Sequence, residues 1–284
     1  MNNILLTGAG GFVGKQILFY LDSLNYKVTV ISSKNSKYFS KFSCIKKIIN
    51  TKNFFYEDED WLCKSLNDID TVIHLAWYAI PDDYLDSFKN IDCLKGTLNF
   101  AKAFCKSKSK RFIGIGSCAE YGNYDKPLKS TAPLYPLSLY ASCKSSAFYS
   151  LSSMIESTDK SFAWCRLFYL FGEGQSPQKL HGYIEDRINK NLLVELSSGE
   201  QKKDFLDVKI AAREIIEVAL SNFEGPFNVC SGEGKTVKDI AQSIAKIKGA
   251  EHLLRFGAKK SSGLDEQDII GVKDFVDNNE KIKF

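Results

Sequence analysis

The sequence predicts an α/β protein with a doubly wound parallel sheet and a smaller mixed α/β lobe. Two observations lead to this fold class. Between residues 4 and 168, short apolar runs alternate with longer segments of helical periodicity, which is the pattern of repeated βαβ units. The apolar runs are rich in Ile, Val and Phe and lack a polar face, as expected of strands that helices cover on both sides.

Five of the apolar runs are predicted as strands, and three of the periodic segments between them as helices. The strands are Ile4–Thr7, Lys27–Ile31, Thr71–Leu75, Arg111–Gly116 and Phe162–Phe168. The helices are Lys15–Leu24, Asn90–Cys105 and Tyr135–Glu156. In the second helix, apolar side chains recur at the i, i+3, i+4 spacing of a helix that packs one face on a sheet.

The alternation of strands and helices becomes irregular after residue 168, so a domain boundary is predicted there. Residues 1–168 would form the first domain, and residues 169–284 mainly the smaller lobe, interleaved with late elements of the first domain. In this second part we interpret "GEGQSPQKLHG" as a loop, "TVKDIAQSIAKI" as a helix and "HLLRFG" as a short strand.

The composition is that of an ordinary globular protein and argues against several classes of partner. The net charge of +4 is small for a nucleic-acid binder. No apolar run reaches the ~18 residues that a membrane span needs, and the first strand begins too early to leave room for a signal peptide. The eight cysteines form no C-x-x-C pair, and there are only three histidines. We therefore expect a cytoplasmic protein with free thiols, no metal site, and neither nucleic acid nor membrane as partner.

A glycine-rich loop, "TGAGGFVG", follows the first strand and opens the first helix. Gly8, Gly11 and Gly14 have the spacing G-x-x-G-x-x-G. A tight turn here needs a residue free to adopt positive φ, and the helix N-terminus supplies unpaired N–H groups to a phosphate. Because a strand precedes the loop and an amphipathic helix follows it, we interpret it as a dinucleotide-binding loop.

The end of the second strand indicates which dinucleotide would bind. An acidic residue there would hydrogen-bond a free ribose 2′-hydroxyl, but this chain has Ser32, Ser33 and Lys34. Hydroxyl groups and a cation suit a 2′-phosphate, so the sequence favours NADP, with NAD as the alternative.

Tyr140, Lys144 and Ser117 form the predicted catalytic group. Tyr140 and Lys144 are four residues apart and so share one face of a helix, and Ser117 follows the fourth strand at the sheet edge where such folds bind ligands. A nearby ammonium is expected to lower the pKa of Tyr140. The phenol would then exchange a proton with a carbonyl or alcohol oxygen, which Ser117 would hold.

These residues together resemble the extended short-chain dehydrogenase/reductase family of nucleotide-sugar epimerases, dehydratases and reductases. The resemblance covers most of the chain and rests on "TGAGGFVG" (7–14), "VIHLAW" (72–77), "GSCAEYG" (116–122), "YASCK" (140–144), "CRLFYLFGEG" (165–174), "SSGEQKKDFLDV" (197–208) and "FNVCSGEGKTVKDIA" (227–241). It implies a Rossmann-type sheet, a nucleotide-sugar substrate bound between two lobes, and a homodimer.

The resemblance also implies a role for individual residues. Tyr140 would be the general acid/base, and Lys144 would bind the nicotinamide ribose. The remaining cofactor contacts, besides the glycines and the residues after the second strand, would be Phe12, Val13, Leu75, Ala76 and Leu167. The substrate contacts would be Trp77, Ser117, Cys118, Tyr140, Tyr169, His181 and Lys203.

Departures from the family pattern reduce the number of activities that the resemblance allows for this chain. Family members that eliminate water carry Asp-Glu directly after the serine or threonine, where this chain has Cys118 and Ala119, so a 4,6-dehydratase is not expected. Tyr169 stands where epimerases usually have asparagine, and Lys203 replaces the usual arginine. The contacts to the nucleotide should therefore differ from those of relatives.

Three functions remain open at this point. The favoured one is NADPH-dependent reduction of a nucleotide-linked 4-keto-6-deoxy sugar, of the kind built into surface polysaccharides. The alternative is an NAD-dependent nucleotide-sugar epimerase, in which the same residues oxidise the sugar and then reduce it on its other face. The third is an NADP-sensing regulator without catalysis; such proteins typically lose the tyrosine or the lysine, and both are present here.

Overall fold

A seven-stranded parallel sheet forms the centre of the computed structural model, which describes residues 3–124, 126–260 and 267–276. The strands in chain order are β1 (Asn3–Thr7), β2 (Lys27–Ser32), β3 (Ile45–Asn50), β4 (Thr71–His74), β5 (Arg111–Ser117), β6 (Ser161–Leu167), β7 (Tyr169–Phe171), β8 (Val194–Glu195), β9 (Lys202–Asp207), β10 (Gly225–Val229), β11 (Gly234–Thr236) and β12 (Leu254–Arg255). The α-helices are α1 (Phe12–Ser23), α2 (Glu59–Ser65), α3 (Lys89–Lys106), α4 (Leu139–Glu156), α5 (Leu180–Asn189), α6 (Val208–Leu220) and α7 (Val237–Ile247).

The large sheet has the strand order β10-β6-β5-β4-β1-β2-β3, and all of its pairings are parallel. The chain winds outward from β1 through β2 to β3 and then resumes on the other side of β1 with β4. This reversal places the carboxyl ends of β1 and β4 at the switch point, where open α/β sheets bind their ligands.

Helices cover both faces of this sheet, which confirms the predicted doubly wound class. On one face α1 and α6 enclose a core that includes Ile4, Leu6, Ile17 and Ile215. On the other face α2, α3 and α4 pack Phe100, Phe104 and Leu151 against Leu5 and Phe112. Because β1, β4, β5 and β6 are covered by helices on both faces, they appear in the sequence as nearly continuous apolar runs. The edge strand β3 has exposed Lys46 and Lys47, and it was not predicted from the sequence.

The later part of the chain builds two further small sheets, one of β11, β9 and β7 and one of β12 and β8. A separate core lies between α5 and α7 and includes Ile184, Ile188, Ala241 and Ile244. The strand β10 and helix α6 instead join the large sheet. The division of the chain at residue 168 stays a prediction, and residues 277–284 of the predicted second lobe lie outside the described residues.

Two helix starts differ by three or more residues from those predicted, each for a local reason. Helix α1 begins at Phe12 rather than Lys15 because the end of the glycine loop already forms its first turn. Helix α4 begins at Leu139 rather than Tyr135. Pro136 disfavours helical backbone in the residue before it, and the Ser138 side chain caps the helix by accepting the N–H of Ala141 at 3.2 Å.

Among the described residues, no helix combines the length and the apolar character required to cross a membrane.

Candidate active site

The glycine loop has the geometry of a phosphate cradle. Gly8 has a φ of +72°, and a Cβ added to it would lie 2.8 Å from the backbone N of Ala76. A Cβ on Gly14 would collide with the carbonyl oxygen of Gly8. Gly11 is the N-cap of α1, and no side chain caps the helix there. The backbone N–H groups of the first turn, which include those of Phe12 and Val13, are therefore free to bind an anion. The loop therefore fits the diphosphate of a dinucleotide.

The segment after β4 lies directly against this loop. The Leu75 N–H donates to the carbonyl of Thr7 at 3.3 Å, and the Ala76 N–H donates to the Thr7 hydroxyl at 3.1 Å. His74 is buried, and its Nδ1 lies 2.8 Å from the same hydroxyl. Burial lowers the pKa of His74 to about 3, so its imidazole is neutral and serves to hold the two strand ends together.

Ser32, Ser33 and Lys34 lie at the carboxyl end of β2, next to the glycine loop in the sheet order. The Lys34 N–H donates to the Ser32 hydroxyl at 3.0 Å. Ser33 and the Lys34 side chain are exposed to solvent.

Ser117, Tyr140 and Lys144 meet at the carboxyl end of β5. Ser117 is the last residue of that strand, and it accepts the N–H of Ala119 at 3.2 Å. The Tyr140 side chain, in the first turn of α4, lies near the Ser117 side chain, which opposes the rise in the pKa of Tyr140. The Lys144 ammonium lies one turn further along, 6.0 Å from the centroid of the Tyr140 ring. The structure thus brings the three predicted catalytic residues together.

Lys144 is buried and closely held. Its ammonium donates to the carbonyl of Ile115 at 2.6 Å and lies 3.9 Å from the centroid of the Trp77 ring. Trp77 is in turn fixed because its indole N–H donates to the side-chain oxygen of buried Asn90 at 2.9 Å. Burial lowers the pKa of Lys144 to about 8, and the negative charge of Glu120 opposes that shift.

The pKa of Tyr140 is raised rather than lowered, contrary to the prediction from the sequence. Burial is the main cause; the nearby Tyr84 adds to it, and the hydrogen bond with Ser117 opposes it. The rings of Tyr84 and Trp77 meet the Tyr140 ring edge-on, with centroids 4.9 Å and 6.5 Å away. Because these aromatic rings exclude water, the phenol keeps its proton.

A buried ion pair behind Ser117 was missed from the sequence. Glu120 is fully buried and accepts the Ser117 N–H at 2.7 Å, the Trp164 indole N–H at 3.1 Å and the Arg166 Nε–H at 2.8 Å. Arg166 also donates to the Tyr121 hydroxyl at 3.1 Å. The signal that could have revealed Glu120 is the S-x-x-E spacing that starts at Ser117, which forms a capping box here.

The predicted substrate residues fall into separate surroundings. Tyr169 and Lys203 line a cavity of about 640 Å³, together with Gln178, Tyr183, Phe205, Lys259 and others. Lys203 is buried, and its ammonium donates to the carbonyl of Gln267 at 2.7 Å. Leu167 pairs in register with Ser117 across β5 and β6.

Two other predicted substrate residues have different environments. Cys118 packs in an apolar cluster with Tyr121, Phe168 and Cys230, and burial raises the pKa of its thiol to about 12. His181 stacks on Phe171 with ring centroids 5.1 Å apart. Their contact with a substrate stays a prediction. The described residues contain no group of three or more His, Cys, Asp or Glu side chains that could hold a metal ion.

The strand order, together with a glycine loop after β1, defines a Rossmann-type α/β protein. A sequence model of the NAD dependent epimerase/dehydratase family matches residues 4–216. The chain belongs to this family and is an enzyme of the extended short-chain dehydrogenase/reductase type, which confirms the resemblance stated from the sequence.

Two curated relatives are similar over nearly their whole length. The dTDP-6-deoxy-L-talose 4-dehydrogenase (NAD(+)) of Aggregatibacter actinomycetemcomitans is 24% identical, over 90% of this chain and 93% of the relative. The CDP-abequose synthase of Salmonella muenchen is also 24% identical, over 90% of this chain and 84% of the relative.

Solved structures share the fold across the chain. A UDP-N-acetylglucosamine 4-epimerase from Methanobrevibacter ruminantium M1, in complex with UDP-N-acetylmuramic acid, has a TM-score of 0.83 at 27% identity, covering 96% of this chain and 89% of that one. The Thermus thermophilus UDP-glucose 4-epimerase, in complex with NAD, has a TM-score of 0.80 at 20% identity, covering 95% of this chain and 90% of that one.

Proposed function

We propose that the protein reduces the keto group of a nucleotide-linked 4-keto-6-deoxy sugar, with NADPH as the reductant. The observation that carries this proposal is the meeting of Ser117, Tyr140 and Lys144 at the carboxyl end of β5, with the Lys144 ammonium 6.0 Å from the centroid of the Tyr140 ring. Reduction of a ketone needs a proton donor at the oxygen, and the phenol of Tyr140 holds a proton that it can donate once the nearby ammonium stabilises the phenolate.

Tyr140 and Ser117 have different roles in this reaction. NADPH supplies a hydride when bound. Tyr140 donates its phenolic proton to the substrate oxygen, so that the C=O group becomes CH–OH and the phenolate afterwards regains a proton from solvent. The Ser117 hydroxyl holds the same oxygen, and its position is fixed because Glu120 accepts its backbone N–H.

Lys144 supports this step through its charge. An ammonium beside a phenolate favours the ionised product of the proton transfer. The carbonyl of Ile115 and the Trp77 ring hold the ammonium in place before any ligand arrives. The same cation is suited to hydrogen-bond the hydroxyl groups of a ribose.

The cavity lined by Tyr169 and Lys203 suits the nucleotide part of the substrate. Lys203, Lys259 and Lys260 are among the residues that line it, and cations of this kind attract a diphosphate. Aromatic rings from Tyr183 and Phe205 in the same lining offer apolar surface to a base or a sugar.

The relatives support the reductase and the epimerase alike, because the curated ones include UDP-arabinose 4-epimerases of Arabidopsis thaliana as well as a 4-dehydrogenase. A 4-dehydrogenase named for a dTDP-6-deoxy sugar catalyses, in the reverse direction, reduction of the corresponding 4-keto sugar. The 4-epimerase from Methanobrevibacter ruminantium, at 27% identity, supports an epimerase instead. The first relative is named for NAD(+), whereas Ser32, Ser33 and Lys34 favour NADP here.

One experiment separates the two functions. The purified protein is given NADPH or NADH with a dTDP- or CDP-linked 4-keto-6-deoxy sugar, loss of the reduced nicotinamide is followed by absorbance, and the product is identified by NMR. We expect stoichiometric oxidation of NADPH and a 4-hydroxy sugar. Interconversion of UDP-glucose and UDP-galactose without net consumption of added nicotinamide, and no turnover of any keto sugar, would replace the reductase by the epimerase.

We further propose a homodimer that forms through α3 and α4, the helix bearing the tyrosine. Ile91 on α3 and Tyr149 on α4 are exposed large side chains, at 50% and 56% of their surface. Apolar groups exposed on neighbouring helices are typical of a contact surface. A mass in solution of twice the 31.9 kDa chain would support the dimer, and the mass of a single chain would exclude it.

A further inference from the structure

An irregular segment, residues 77–88, covers the two side chains assigned to the proposed proton transfer. This covering segment forms neither helix nor strand, so regular secondary structure does not fix its shape. The Lys144 ammonium lies 3.9 Å from the centroid of the Trp77 ring. The Tyr84 ring meets the Tyr140 ring edge-on, with centroids 4.9 Å apart. Both side chains are therefore shielded by rings from one piece of irregular chain.

The side chain of Asn90 holds the covering segment at three places. Its oxygen accepts the Trp77 indole N–H at 2.9 Å, and its NH₂ group donates to the carbonyl of Tyr84 at 2.6 Å and to that of Ser87 at 2.9 Å. Asn90 lies in the first turn of α3 and is fully buried. Because an indole N–H only donates and a carbonyl only accepts, a single orientation of the amide satisfies all three partners. The amide thus joins both shielding rings to a regular helix.

Other bonds to the covering segment involve its backbone. The Tyr140 N–H donates to the carbonyl of Leu85 at 2.8 Å, and the Tyr78 N–H donates to the Cys93 sulfur at 3.3 Å. These bonds fix the path of the backbone. The bond from the Trp77 indole to Asn90 instead fixes the direction of a ring, and a ring attracts an ammonium only when the ammonium lies over its face.

We propose that Asn90 is a positioning residue for the reaction, because it fixes the Trp77 indole and the Tyr84 backbone and so keeps both rings in place over Lys144 and Tyr140. This inference rests on the proposed function, in which Lys144 and Tyr140 carry the proton transfer. Its physical consequence is the exclusion of water. Burial lowers the pKa of Lys144 to about 8 and raises that of Tyr140, and both shifts require the rings to stay where they are.

The titration of Lys144 in the ligand-free protein tests the proposal without any substrate. The Lys144 amine is followed by NMR in lysine-labelled protein, and its signal is assigned by its loss in Lys144→Met. Asn90→Leu has a similar volume but forms no hydrogen bond, so we expect the covering segment to loosen and water to enter. The pKa of Lys144 should then rise from about 8 toward 10.5, by about 1 pH unit or more.

Two effects oppose each other in this variant, and the larger one sets the sign. Moving the Trp77 ring away from the ammonium favours the neutral amine, whereas water entry favours the charged one. Burial is the main cause of the lowered pKa of Lys144, so water entry dominates. A pKa in Asn90→Leu that is equal to or below the wild-type value would overturn the proposal.

Trp77→Phe tests the hydrogen bond from the side of the ring. Phenylalanine keeps an aromatic face but cannot donate to Asn90, so the pKa of Lys144 should rise in this variant too. In the double variant the rise should be no larger than in Asn90→Leu alone, because both changes break one interaction. Rises that add would mean that the two residues act independently, which would overturn the proposal. If Asn90→Leu does not fold, an unchanged titration in Trp77→Phe overturns it alone.

Asn228→Leu is the matched control for the loss of a buried amide. Asn228 is also fully buried; its oxygen accepts the Tyr121 hydroxyl at 2.6 Å, and its NH₂ group donates to the carbonyls of Leu128 at 2.8 Å and Val272 at 3.2 Å. We expect this variant to lose a similar amount of stability in urea unfolding and to leave the pKa of Lys144 unchanged. A rise equal to that in Asn90→Leu would mean that general loosening of the fold is responsible, and the proposal would fail.

Turnover connects the titration to the reaction. With whichever nucleotide sugar the wild-type enzyme converts, Asn90→Leu should lower the turnover number by about 10–100-fold. Binding of 2′,5′-ADP and 5′-ADP, the adenosine fragments of NADP and NAD, should stay within about 2-fold of wild type, which shows that the variant is folded. Unchanged turnover beside a shifted titration would overturn the positioning role. Because the titration uses no sugar, failure of ketoreduction and failure of this inference are separate results.

Discussion

The two ends of the proposed cofactor cleft both contain a lysine, but in opposite surroundings. At the catalytic end the Lys144 ammonium is buried, donates to the carbonyl of Ile115 and has its pKa lowered to about 8 by burial. At the adenosine end Lys34 is exposed, and Tyr38 beside it has 36% of its surface exposed. Charges in a low-dielectric interior interact strongly and at fixed geometry, whereas exposed charges are screened by salt. We therefore expect turnover to depend on the buried groups around Tyr140, and the affinity for the adenosine part of the cofactor to depend on the salt concentration.

The largest effect is expected from removing one hydroxyl at the catalytic end. Tyr140→Phe keeps the aromatic packing but deletes the proton donor, so turnover should fall by about 10²–10⁴-fold, while 5′-ADP binding stays unchanged. Initial rates under saturating substrate measure the loss. Tyr56→Phe, which changes an exposed tyrosine outside the proposed site and dimer contact, is the control and should have wild-type rates. A Tyr140→Phe variant with wild-type turnover would show that Tyr140 is not the proton donor.

The next effect concerns the buried pair behind Ser117. Glu120→Gln leaves the buried guanidinium of Arg166 without its carboxylate, and breaking such a pair costs about 3–5 kcal/mol. Urea unfolding should therefore show a large drop in the free energy of unfolding. Glu59 forms ion pairs with Lys102 and Lys106 at the surface, and Glu59→Gln should change stability little. If the two variants lost the same stability, the contrast between buried and exposed charge would not hold.

The elements and the glycine loop were predictable because their signals are local. A run of apolar residues, a glycine where φ must be positive and a helix opening at the loop can all be recognised within a few residues of one another. The grouping of Ser117, Tyr140 and Lys144 was predictable from the Tyr-x-x-x-Lys spacing and from Ser117 at a strand end, and their catalytic role stays a prediction. Together these motifs indicate a single site, because all of them lie at the same edge of the sheet.

The parts that were missed depend on residues far apart in the chain. Glu120 and Arg166 are separated by 46 positions, and only the pairing of β5 with β6 brings them together. The direction of the Tyr140 pKa shift was wrong because the prediction used its neighbour Lys144. The rings that bury the phenol, Trp77 and Tyr84, come from the segment after β4. Desolvation is a property of the packed molecule and has no local sequence signal.

A third prediction uses the pH dependence of stability at Lys144. Its pKa is about 8 in the folded protein and 10.5 ordinarily, so between these values the unfolded chain binds more protons. This contribution to stability therefore rises with pH through that window, by at most about 1.4 kcal/mol per pH unit. Any stability that Lys144→Met gains relative to wild type should be largest below pH 8 and should shrink toward pH 10.5.

The difference between variant and wild type is the quantity to measure, because buried thiols act in the opposite direction. Burial raises the pKa of Cys118 and Cys165 to about 12 from 9.0, so their contribution to stability is lost as pH rises above 9. Urea unfolding of both proteins at several pH values between 7 and 10.5 separates the two effects. A difference that stays constant with pH would mean that Lys144 is not the buried cation described here.

The smallest effect is expected from salt at the adenosine end. Raising the ionic strength from about 0.05 M to about 0.5 M shortens the screening length to a few Å, so 2′,5′-ADP affinity should fall by about 3–10-fold. Lys34→Gln should have a shallower salt dependence because one screened charge is missing. The turnover number under saturating substrate should change by less than about 2-fold, since the charges around Tyr140 are shielded from salt by burial. A turnover number that fell in parallel with 2′,5′-ADP affinity would show that the catalytic end is as exposed to ions as the adenosine end, and the two regions would then have to be treated as one electrostatic site.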